Sequence, residues 1–194
     1  MIDRLHRLAD GRTVELRDLR QADRAGMIDG FEHLSRESRY RRFLGAMNQL
    51  GERQLRALLG ADGVDHIALV AIDVDSKNHE LRGVGIAHSI RDPRHPERAE
   101  YAIVVADDWQ GRGVGRLLTR ALAAEAFRHG VREWTASMLF DNAPVRRLLR
   151  SVGDETRFVT AGAGVVDGTY ALRPSCFAGS LVTRRPSTTC ARRA

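Results

Sequence analysis

Between residues 99 and 120 the chain reads AEYAIVVADDWQGRGVGRLLTR, a run that admits few folds. Ala99–Ala106 is the most strongly β stretch in the sequence, and Asp107–Gly111 breaks it. Arg112–His129 then continues as a helix whose apolar stripe is Leu117, Leu118, Leu122, Ala123 and Phe127, with Gly130 at the C-cap position. Glycines at 111, 113 and 115 let backbone N–H groups come close to a ligand, because no Cβ intervenes and positive φ is open to them. The helix start adds unsatisfied N–H donors and the positive end of the macrodipole. Together these features make an anion site suited to a pyrophosphate, flanked by Arg112 and Arg116.

The rest of the chain supplies the frame for that segment. Thr13–Leu19 alternates as a strand, Gln21–Leu34 and Glu52–Leu59 carry helical periodicity, and the Arg-rich Ser35–Leu44 reads as a short helix anchored by Tyr40 and Phe43. His66–Val74 and Leu81–Ile90 form a hairpin around the turn-rich Asp75–Asn78. Arg91–Arg98 holds two prolines and is expected to be a loop. Trp134–Phe140 is a further strand, and Asn142–Ser151 a short helix with Pro144 in its first turn. Arg157–Thr160 and Thr169–Leu172 close the domain as a hairpin. This order predicts an α/β fold with a mixed sheet. The domain is expected to span residues 12–172, with residues 173–194 as a basic, aperiodic and disordered tail.

Composition narrows the functional classes. The net charge of +6 is concentrated in the tail, which has five arginines and no acid, leaving 26 basic against 25 acidic residues in the body. A neutral body and a tail without stacking aromatics beyond Phe177 speak against nucleic-acid binding. The N-terminus lacks an apolar signal region and no apolar run is long enough to span a bilayer, so a cytoplasmic protein is expected. Cys176 and Cys190 show no metal-ligand spacing, nor do the seven histidines, and no metal site is expected. His88 and His95 read as solvated or loop residues, Trp109 and Trp134 as core.

The glycine loop is not a dinucleotide fingerprint, which needs G-x-G-x-x-G, nor a Walker loop, which needs Gly-Lys-Ser/Thr. It fits Q-x-x-G-x-G, as Gln110-Gly111-Arg112-Gly113-Val114-Gly115, and so closely resembles the acyl-CoA pyrophosphate loop of the GNAT superfamily of N-acetyltransferases. Asn142–Gly153 (NAPVRRLLRSVG) looks like the Asn-headed helix that follows the fifth strand there. Ser35–Gly45 (SRESRYRRFLG) resembles a stretch of the bacterial Pat-type protein lysine acetyltransferases.

The resemblance implies a mostly antiparallel sheet splayed between the fourth and fifth strands, with flanking helices, and acetyl-CoA as co-substrate. Its pantetheine would lie in the splay against the backbone of Ile103, Val104 and Val105. Its pyrophosphate would lie on the run from Gln110 and Gly111 through Arg112, Gly113, Val114 and Gly115 to Arg116. The backbone N–H near Val104 or Val105 would hold the oxyanion. Glu100 would be the general base, since an amine must be neutral to attack a thioester; on sequence alone it reads instead as a strand-edge residue paired with Arg98 or another surface Arg. Asn142 is a helix N-cap, a contact to the cofactor arm, or both. Relatives often carry a tyrosine acid seven residues after this Asn; here Leu149 stands there, and Tyr101 and Tyr40 read as packing residues. The implied acceptor is a primary amine, a protein lysine before a small molecule; a non-catalytic acyl-CoA-binding module is the alternative of another class.

Overall fold

The computed structural model describes residues 3–177. Eight strands form one sheet in the order β1-β2-β3-β4-β5-β6-β8-β7. They are β1 (Asp3–Arg7), β2 (Thr13–Asp18), β3 (His66–Val74), β4 (Glu80–Asp92), β5 (His95–Val105), β6 (Glu133–Leu139), β7 (Gly153–Gly162) and β8 (Val165–Leu172). The helices are α1 (Arg24–Glu32), α2 (Arg36–Phe43), α3 (Glu52–Leu59), α4 (Val114–Arg128) and α5 (Ala143–Arg150). Neighbouring strands pair antiparallel except β5 and β6, which run parallel. The mixed, mostly antiparallel sheet with flanking helices is thus the one the sequence predicts, with one strand more. The "fourth" and "fifth" strands of the sequence reading are β5 and β6.

The sheet is covered on both sides, which explains the near-continuous apolar run of β3. Its Ile67, Leu69 and Ala71 face a core shared with Leu118 and Leu122 of α4, Trp134 and Tyr170. Its alternate residues Ala68, Val70 and Ile72 face a smaller core with Leu59 of α3 and Met27 of α1. No helix among the described residues is long and apolar enough to cross a membrane.

Four local departures have physical causes. β1 is an edge strand whose Leu5 is exposed, so it carries no apolar alternation to read. The expected loop at Arg91–Arg98 is mostly strand: the turn is Pro93–Arg94, and Pro96 falls where the β4–β5 register breaks, a place that needs no ladder N–H. α4 starts at Val114 rather than Arg112, because Gly113 holds a φ of 96° that no helix contains. Ordered chain also extends past residue 172: Pro174–Cys176 makes a 3₁₀ turn and Phe177 is fully buried, its ring 5.8 Å from that of Phe127. The expectation of a disordered segment from residue 173 is corrected for residues 173–177; the rest of that segment, with Cys190, lies outside the described residues.

Candidate functional site

The glycine loop is fastened at its root. The Asp107 carboxylate accepts bonds from Ser35 N at 2.7 Å, Ser35 Oγ at 3.0 Å and Ser38 Oγ at 2.6 Å, joining the loop to the start of α2. Burial works against the charge of this carboxylate, but those donors hold it below the ordinary carboxylate range. Gln110 Nε2 donates to Val105 O and to Ser38 Oγ, both at 3.2 Å. Gly111 and Gly113 take φ of 73° and 96°, a backbone that leads without a side-chain obstacle into the N-terminus of α4. Gly115 is needed for a different reason: a Cβ there would stand 3.2 Å from Leu148 Cδ1 of α5.

The other members of the run divide. Val114 is fully buried in the α4 core, so only its backbone faces the loop. Arg112 turns away: Nη1 donates to Asp10 at 2.7 Å and Nε to the Asp108 carbonyl at 2.8 Å. Arg116 is exposed and has no ion pair among the described residues, which leaves it available to an anion.

Beyond the loop the sheet opens. β5 and β6 pair only through Arg98–Glu100 against Glu133–Thr135 and then diverge. Ala106 N donates across to Val84 of β4, while the carbonyls of Val105 and Ala99 accept from Gln110 and Thr135 on the other side. Strand alternation therefore turns the polar backbone of Ile103 and Val105 into the opening and that of Val104 toward its β4 partner Ile86. Of the three residues expected to meet a pantetheine, Ile103 and Val105 offer backbone donors there and Val104 does not.

Glu100 lies at the mouth of this opening. It is exposed, and no hydrogen bond or ion pair to its carboxylate occurs among the described residues. The partnership with Arg98 is not formed, because Arg98 pairs with Glu133 at 2.7 Å. Glu100 borders two cavities: one of about 210 Å³ in the opening itself, with Ile103, Met138 and Asn142, and a polar groove of about 380 Å³. The groove passes over β6, β8 and β7 and is lined by Thr135, Ser137, Arg157 and Asp167. Asn142 is 5% exposed and caps α5, its Oδ1 accepting from Val145 N at 3.4 Å, while it also lines the opening.

Leu149 is fully buried in the α4 core. Tyr101 is buried on the opposite side of β5, bonded to Thr119 Oγ1 at 2.7 Å and 4.7 Å from the Trp134 ring; burial pushes its phenol well up. Tyr40, expected to pack, is 45% exposed. His95 is exposed at the hairpin tip, but His88 corrects the expectation of a solvated residue. It is 1% exposed, its Nδ1 is 2.9 Å from His66 Nε2, and burial holds its imidazole well below the ordinary range. Trp109 and Trp134 are core residues.

The Arg-rich Ser35–Leu44, read from sequence as an exposed charged helix face in preference to an acceptor-site lining, holds one residue near the site that the reading did not single out. Arg42, on the last turn of α2, roofs the opening above Glu100, with its guanidinium 5.0 Å from the Phe43 ring and no hydrogen bond or ion pair among the described residues. Its neighbours Arg39 and Arg41 bond the Glu32 carbonyl and Glu37 and so behave as a charged helix face. The only signal marking Arg42 was the apolar Phe43 beside it, too local to fix its direction.

Residues 30–153 match the Acetyltransferase (GNAT) family profile. The acetyltransferase PA5475 of Pseudomonas aeruginosa is 33% identical over 146 residues, 75% of this chain and 77% of that protein. The acetyltransferase Pat of Mycolicibacterium smegmatis is 30% identical over 145 residues, 74% of this chain but only 41% of that longer protein. Among solved structures, the GNAT domain of S. lividans PAT superposes with a TM-score of 0.75 at 25% identity, covering 88% of this chain and 97% of that one. The Salmonella typhimurium yncA, solved with its cofactor acetyl-CoA, has the same fold, with a TM-score of 0.63 at 19% identity over 91% of this chain and 99% of that one.

Proposed function

Because this chain belongs to the GNAT acetyltransferase family, we propose that it moves the acetyl group of acetyl-CoA to the ε-amine of a protein lysine, with Glu100 as general base. The observation that carries this reading is the opening between β5 and β6, with a glycine loop at one end and an unpaired carboxylate at the other. In this reading the N–H groups of residues 113–116 and the Arg116 guanidinium hold the pyrophosphate. The N–H groups of Ile103 and Val105 bond the pantetheine arm and polarise the thioester carbonyl. Asn142 fixes the start of α5, whose Leu148 packs on Gly115, and so sets the width of the opening.

The amine enters through the polar groove. Glu100 takes its proton, the C–N bond forms as the C–S bond breaks, and the thiolate leaves. A thiol pKa near 8.5 makes it a fair leaving group, so water suffices where relatives use a tyrosine and this chain has Leu149. The open groove across β6, β8 and β7 admits a lysine carried on a polypeptide, in line with the Pat-like character of Ser35–Gly45.

Calorimetry with acetyl-CoA and with an acetyl-pantetheine lacking phosphate tests the cofactor side: equal affinity for both would overturn the pyrophosphate assignment. Mass spectrometry of peptides and free amines incubated with enzyme and acetyl-CoA tests the acceptor. Modification confined to free small amines would overturn the lysine assignment.

A further inference from the structure

A third cavity, of about 290 Å³, has no part in the scheme above. It lies on the same face of the sheet as Glu100, under α1 and α2. Its walls are mostly apolar, with Met27, Phe31, Leu58, Val70, Ile86 and Val104, while Arg82 at its edge pairs with Asp108. At its far end Arg17 is bidentate to both Asp23 and Glu80, so that polar cluster is satisfied internally and calls for no ligand. Gly26 and Gly30, on the α1 side, have nothing within 4 Å of the place a Cβ would take. The space opens to solvent past the exposed Gly26 and Leu81, and it is larger than the apolar void of about 150 Å³ that takes a benzene-sized guest.

Its position relative to the opening indicates the guest. Arg42 and Phe43 line both this cavity and the opening, so only the last turn of α2 separates the two. On β5 the backbone of Ile103 and Val105 faces the opening, while the side chain of Val104, between them, faces the apolar cavity. A thioester carbonyl held at those amides stands about one residue's rise, roughly 3.3 Å along the strand, from the Val104 wall. The other way out passes Glu100 into a groove lined by Arg98, Arg157 and Asp167, which suits a polar acceptor and not a methylene chain.

We propose that the apolar cavity receives the chain of acyl groups longer than acetyl, so that the enzyme also transfers butyryl and hexanoyl groups. This rests on the transferase reading above. The chain passes Phe43 and the aliphatic stem of Arg42. The bonds exchanged are those of acetyl transfer: the amide C–N bond forms, the thioester C–S bond breaks, and the amine proton goes to Glu100.

The test measures kcat/KM for acetyl-, butyryl- and hexanoyl-CoA on one amine acceptor, in the wild type and in Gly30→Leu. Gly30 touches neither the opening nor the groove, and leucine at that point meets open space. The wild type is expected to use hexanoyl-CoA within about tenfold of acetyl-CoA, and Gly30→Leu to keep the acetyl rate while losing at least about tenfold on hexanoyl-CoA. Gly26→Leu repeats the filling from the preceding turn, and the melting temperature of each variant shows whether it has folded. A wild type that uses acetyl-CoA but refuses hexanoyl-CoA overturns the inference and leaves the transferase reading standing. So does a folded filling variant that loses both donors equally. Failure with every thioester overturns the transferase reading itself, and the inference with it.

Discussion

Glu100 and Arg42 show how differently single residues declare themselves. Among the described residues Glu100 makes no hydrogen bond or ion pair: Arg98 is committed to Glu133, and Arg42 acts on Glu100 only through its field. Glu100→Gln keeps the shape and removes the basicity, so the rate at neutral pH should fall by about 10²–10⁴-fold while acetyl-CoA affinity, read by calorimetry, stays level. Raising the pH toward the amine pKa near 10.4 should recover part of the rate, because the acceptor then arrives neutral. A variant that keeps most of its turnover at neutral pH would remove Glu100 from the mechanism. The place of this carboxylate on its strand was legible, because distance to the glycine motif is one-dimensional; its role as a base came only from the resemblance. Arg42 and His88 were not, because their roles depend on which elements fold over them. His88 looks like any strand histidine until α2 closes above it and His66 arrives from β3.

Elements carry the next level of design, and two contacts set the position of the loop and of α5. The loop depends on left-handed glycines, as the spacing of 111 and 113 implied. Gly113→Asn keeps a residue that tolerates positive φ and adds no charge, whereas Gly113→Asp places a carboxylate where the proposed pyrophosphate would sit. Calorimetry should find acetyl-CoA binding weakened in the first and abolished in the second; equal affinities would mean that the loop does not meet the phosphates. Helix α5 is held to β7 through Glu155, which accepts from Arg146 at 2.8 and 2.7 Å, from Arg150 at 3.0 Å and from Tyr170 at 3.0 Å. The Arg146 fork, foremost, holds the Glu155 carboxyl down to about 2 from an ordinary 4.5. A depressed folded-state value means stabilisation that is full above pH 4.5 and is lost as the pH falls toward 2. Glu155→Gln should therefore cost about 1–3 kcal/mol at neutral pH, and its melting curve should converge on the wild type's across that acid window. Nothing in the sequence pairs residue 146 with residue 155, because the contact depends on how α5 turns back onto the sheet.

At the scale of the whole chain, periodic segments were legible and aperiodic ones were not. The helices and inner strands follow from burial patterns that a two-sided sheet imposes, as in β3. β1 and the Phe177 plug lack such a pattern: one is an exposed edge, the other a single aromatic after a turn. A chain ending at residue 172 should thus melt roughly 10 °C below one ending at residue 177, since deleting a buried phenylalanine costs about 3–5 kcal/mol. Equal melting temperatures would show that Phe177 adds nothing to the core.

The brief contact between β5 and β6 has a mechanical consequence. Three residue pairs join a five-stranded plate to a three-stranded one, so the sheet is a seam-welded object and not one elastic surface. A pantetheine arm bonded to Ile103 and Val105 would lie along the unwelded length as a substitute strand. The substrate would then be a temporary structural member, stiffening the molecule when loaded and releasing the seam when the product departs.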